Sequence, residues 1–137
     1  MLLAVLAAGC ATPTPQLPTA TAVSTIARDN AIERGVDYCR MPHLVLVGEP
    51  RNVRAELMTL EEANRITGAQ GSRAAGALVW LVQMEGTLQL VGGPPPEPSE
   101  GATATAPAPF EGTCAAILDS ETGEMFSVTA WPLAGTP

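Results

Sequence analysis

Charge is scarce in this sequence, and positive charge scarcer still. Charged residues make up 15% of the 137; 14 are Asp or Glu and 7 are basic, a net charge of −7. An acidic chain repels phosphate backbones, so the composition speaks against nucleic-acid binding. No cluster of basic residues suggests electrostatic docking on anionic lipid either. Histidine occurs once, at His43. A zinc site normally needs three or four protein ligands. Cys39 and His43 have ligand spacing and Asp37 is near, but Cys114 and the scattered carboxylates do not extend that spacing. No metal site and no cofactor are expected. No nucleophile motif surrounds a serine, and a Ser–His or Cys–His pair would need His43 oriented by a carboxylate. Glu61 and Glu62 are adjacent on an expected helix and point apart, so they do not form an acid–base pair. Gly92-Gly93-Pro94 lacks the Lys, Ser and helix start of a phosphate loop. No catalytic residue is expected.

Long apolar runs are missing from the N-terminus as well. Leu2 to Ala8 is apolar but far shorter than the ~20 residues that span a bilayer. A short apolar run followed by small residues is the pattern of a signal peptide. Ala7-Ala8-Gly9-Cys10 resembles the lipobox of bacterial lipoproteins, with Ala7 where that family more often has Leu. The resemblance implies cleavage after Gly9 and lipid on Cys10, hence an extracytoplasmic, membrane-anchored protein of the cell envelope. Ala11 is not the aspartate of inner-membrane retention, which favours an outer location where two membranes exist. Residues 1–9 are then the signal peptide. Residues 10–28 form a tether, rich in Pro and Thr and free of charge as far as Ser24. Its prolines favour extended polyproline II geometry, ~3.1 Å per residue.

Residues 29–132 read as one small α+β domain, and 133–137 as a tail. A first helix starts near Asp29 or Asn30, either of which can cap it, and ends by Pro42. Ile32, Val36 and Cys39 share one face, and Gly35 allows close approach. Leu44 to Val47 reads as a strand that Pro50 breaks. Val53, Ala55 and Leu57 alternate with polar neighbours as a second strand. Thr59 and Glu62 form a capping box for a short helix that Gly68 ends, with a loop from Gly68 to Gly76. Leu78 to Met84 is the strongest strand signal, and Glu85-Gly86 looks like a tight turn into Thr87 to Val91. Residues 92–110 are a long Pro-rich loop within the domain. Cys114 to Leu118 and Met125 to Ala130 are further strands, joined by a turn over Asp119 to Gly123. Strands joined by hairpins imply an antiparallel sheet with the N-terminal helix packed on it. Trp80 is expected in the core. Trp131 either covers an edge or marks an exposed contact.

The order of elements, together with Asp119, Thr122, Gly123 and Glu124 before a last strand, resembles the PepSY and YpeB group of small secreted domains. That resemblance spans about Asp29 to Trp131 and implies a non-catalytic domain that binds or restrains a peptidase. Lipid on Cys10 leaves Cys39 and Cys114 as an even pair. Outside the cytoplasm such a pair in a small domain forms a disulfide. The expected function is therefore a membrane-anchored lipoprotein whose PepSY-like domain binds an envelope protein or peptide, with sheet edges and the Pro-rich loop as contact surfaces. The alternative is a metal-binding or hydrolytic envelope enzyme using His43.

Overall fold

The run Leu78-Val-Trp-Leu-Val is apolar at every position, which alternation alone would not produce. A strand of that composition needs cover on both faces, and the computed structural model of the chain supplies it. The structure describes residues 25–41, 44–70, 75–91 and 107–135. Within these residues two helices, α1 (Arg28–Tyr38) and α2 (Leu60–Thr67), accompany four strands, β1 (Leu44–Thr59), β2 (Leu78–Leu90), β3 (Phe110–Asp119) and β4 (Met125–Pro132). The strands form one antiparallel sheet in the order β1-β2-β3-β4. The architecture is α+β.

One face of the sheet carries Leu46, Ala55, Trp80, Val82, Met84, Leu88, Cys114, Ala116 and Leu118, all buried with Ala31 and Cys39. The side chain that lets α1 approach is one that is missing. A Cβ on Gly35 would lie 2.6 Å from Val82 Cγ1, so only glycine permits this spacing. Ile32 and Val36 flank that seam and are partly buried, as their spacing suggests, but Ala31 and Gly35 form its buried centre. The helix begins one residue before Asp29, on Ala27, without a side-chain cap. Tertiary bonds fix its start instead. The Ile26 amide donates to the Ser120 carbonyl at 2.7 Å, and Arg28 Nε donates to the Ala55 carbonyl at 3.2 Å.

On the opposite face, Val79, Leu81, Ala115 and Ile117 are buried with Leu60 and Ala63 of α2. Phe126 and Trp131 pack against this second cluster. The cap of α2 is as the sequence suggests. The Glu62 amide donates to Thr59 Oγ1 at 3.3 Å, and Gly68 ends the helix at φ +71°. The reciprocal half differs: the Glu62 carboxylate lies 3.6 Å from Arg65.

Two expected breaks are not breaks. Leu44 to Thr59 is one strand through Pro50, and Leu78 to Leu90 is one strand through Glu85-Gly86. The first survives because β1 is an edge strand with irregular pairing. From Val47 to Arg51 it advances four residues while β2 advances two, and from Arg51 to Arg54 three against two. Pro50 falls in the first bulge, where a missing N–H costs no ladder bond. Gly48 (φ +80°) and Asn52 (φ +50°) supply the left-handed residues. Gly86 stays in the strand opposite Gly112 of β3, and a Cβ on it would meet Leu46 Cδ1 at 2.6 Å. It is a close-approach glycine, not a turn glycine. The expected Pro-rich loop falls largely on residues 92–106, and part of the expected 68–76 loop on 71–74; both stretches lie outside the described residues.

Candidate functional site

The two paired cysteines come together as the sequence suggests. Cys39 caps the C-terminal end of α1 and Cys114 lies on β3; both are fully buried. They form a disulfide with a Cα–Cα separation of 6.2 Å. It joins the helix to a central strand through the core that Met84 and Leu88 help to fill. Cys10 and His43 lie outside the described residues. Among the described residues no group of three or more His, Cys, Asp or Glu could hold a metal ion, and no helix is long and apolar enough to cross a membrane. Glu61 and Glu62 border a shallow depression with Thr59 and Arg65 at the start of α2.

The turn residues Asp119, Thr122, Gly123 and Glu124 do build the β3–β4 connection. Asp119 Oδ1 accepts from the amides of Glu121 and Thr122, both at 2.9 Å, and the Glu124 amide donates to Thr122 Oγ1 at 3.2 Å. Two backbone bonds close the turn, from the Gly123 amide to the Asp119 carbonyl and from the Asp119 amide to the Glu124 carbonyl. These residues shape the backbone at the point where Ile26 brings α1 against Ser120. Their carboxylate and hydroxyl serve turn geometry.

A polar cluster, not anticipated from the sequence, sits on the α2 side of the sheet toward its far end. Glu111 accepts from the Thr87 hydroxyl and from the Arg51 guanidinium, and Asn52 Nδ2 donates to Glu85 Oε2 at 2.7 Å. The Thr87 bond first, and then Arg51, hold the Glu111 carboxyl below the usual carboxylate range. Arg51 and Glu111 are 60 residues apart, so no local pattern announces the pair. The cluster straps edge strand β1 to the centre of the sheet.

The two edges of the sheet differ sharply. β1 is guarded by bulges, by Pro50 and by the charges of Arg51, Arg54 and Glu56. Such devices discourage strand addition. β4, Met-Phe-Ser-Val-Thr-Ala-Trp-Pro, has no charged residue, and every side chain from Phe126 to Trp131 is half-buried. Its ladder phase follows from one bond. The Leu133 amide donates to the Glu111 carbonyl at 3.1 Å, next to the Pro132/Gly112 pair. In an antiparallel ladder hydrogen-bonded and non-hydrogen-bonded pairs alternate. Trp131, Thr129 and Ser127 therefore direct their main-chain groups at β3, while Val128, Ala130 and Pro132 direct theirs outward. Pro132 has no N–H to leave unpaired. Among the described residues no strand lies beyond β4. The sequence shows the composition of this strand, eight residues without a charge closing on a proline, but not its place at an edge.

Comparisons of the chain with protein-family models, with curated proteins and with solved structures found no match.

Proposed function

We propose that this chain is an envelope lipoprotein, anchored by lipid on Cys10, whose α+β domain is a non-catalytic module of PepSY-like type that binds an envelope protein or peptide. The single observation that carries the compartment is the buried Cys39–Cys114 disulfide. A structural disulfide in a small domain belongs to an oxidising compartment. The short apolar run, the small residues before Cys10 and the Pro/Thr tract supply the route there. Contact is made by strand addition at β4, the uncharged edge with outward donors at Val128 and Ala130.

Two measurements test this reading. The first is the intact mass of the protein from a membrane fraction, before and after reduction. A mass that begins at Cys10 with added acyl chains, and rises by two hydrogens on reduction, supports it. A full-length mass without lipid overturns it. The second is crosslinking in cells. The sequence contains no lysine, so amine-directed reagents are unsuitable and a photoreactive residue at Ser127 is required. No captured chain above background would count against a binding module.

A further inference from the structure

We infer that the strand added at β4 is β4 of a second copy of this chain, in antiparallel register about a two-fold axis through Thr129. The inference rests on the reading of β4 as the contact edge and deepens it by naming the partner. It does not rest on the lipid anchor.

Charge supplies the first argument. Two copies of a chain with net charge −7 repel one another. They approach at least cost where neither contributes a charge, and β4 carries none, whereas β1 carries Arg51, Arg54 and Glu56. The ladder phase supplies the second. Outward main-chain groups lie at Val128 and Ala130, as derived above from the Leu133–Glu111 bond. With the axis at Thr129, Val128 of each copy stands opposite Ala130 of the other. Each of these pairs exchanges two N–H···O=C bonds, so four bonds satisfy both outward donors of both chains. The Pro132 ring, which has no N–H to offer, falls at the end of the paired stretch, where one copy's Phe126 meets the other's Pro132.

Side-chain size supplies the third. Directly opposed residues share a face. In this register Val128 meets Ala130 on the α1 side. On the α2 side Trp131 meets Ser127, and Thr129 meets Thr129 at the axis. Each large side chain has a small neighbour. These side chains are all half-buried. Val128 and Ala130 already lean on the α1-side core and Trp131 on the α2-side core. The second copy would extend both cores across the axis into one eight-stranded sheet. Such an isologous contact closes on itself and stops at two copies.

Sedimentation velocity on the full chain carrying Cys10→Ser, from low micromolar to near-millimolar concentration, tests the proposal. The expected result is a monomer–dimer equilibrium. Thr129→Glu and Thr129→Lys each place like charges face to face at the axis, and each raises the dimer dissociation constant roughly tenfold or more. An equimolar mixture of the two restores the dimer. If either variant loses native circular dichroism, Ala130→Pro substitutes for it, since that amide takes no part in pairing with β3. A chain that stays monomeric throughout overturns self-pairing. So does a dimer that withstands both charged variants or Ala130→Pro. A monomer whose photoreactive Ser127 position captures a different envelope protein overturns self-pairing alone and leaves the binding module standing.

Discussion

Gly35 is where a single methyl group decides how α1 sits. Its Cβ would come within 2.7 Å of both Val82 Cβ and Cγ1, the stiff root of a β-branched side chain rather than a flexible tip. Gly35→Ala should therefore destabilise the domain by about 1–3 kcal/mol, against the usual helix gain from Ala. Urea unfolding measures this, and a stabilised variant would show that α1 can slide. Trp80 poses the opposite case. Its Nε1 is buried with no hydrogen-bond partner among the described residues. Trp80→Phe removes an unsatisfied donor, worth about 1–3 kcal/mol, while creating a void of similar cost. Its unfolding midpoint should stay near that of the unsubstituted chain; a large loss would mean that Nε1 is bonded. Glu111 carries a pH signature. Its carboxyl is held low in the folded state, by Thr87 first and then Arg51. Its contribution is thus present above the unfolded carboxylate value and is lost as pH falls through the lowered folded value. Glu111→Gln should flatten that acid-side loss. Because the group is exposed, salt should shrink the difference between the two chains.

At the level of elements, what was legible in the sequence is what neighbours in the chain determine. Thr59 caps α2 across three residues, and Asp119 organises its turn across a similar span. Thr59→Ala should cost about 1 kcal/mol, read as a lower urea midpoint with an unchanged slope. What was not legible is what distant residues determine. Glu85-Gly86 has the composition of a turn, yet the strand continues because Leu46 occupies the space above Gly86, 40 residues earlier in the chain. Pro50 looks like a stop, yet it lies on an edge strand whose bulges need no amide there. Asp29 and Asn30 look like caps, yet the start of α1 is fixed by Ile26 on Ser120 and Arg28 on Ala55. The Arg51–Glu111 pair and the contrast between edges β1 and β4 emerge only once strand order is known.

For the molecule as a whole, the disulfide is the largest single constraint. It closes a loop of 75 residues, for which the chain-entropy argument gives about 4–5 kcal/mol, with measured values often lower. Replacing both Cys39 and Cys114 by Ala should lower unfolding stability by roughly 2–5 kcal/mol. Because both sulfurs lie in the core, a reductant should act slowly on the native chain and quickly once urea opens it. Equal rates in the two conditions would contradict the burial. The pairing was legible from the count of cysteines. Its position across α1 and β3 was not, since it depends on the helix crossing the sheet. The same bond makes the backbone from Cys39 to Cys114 a covalent ring. A peptidase that cuts this ring once separates nothing. The piece bearing Cys10 and α1 remains bonded to the piece bearing β3 and β4. Shedding the C-terminal half demands two agents acting together, one that cleaves and one that reduces. Either agent alone leaves the two pieces joined.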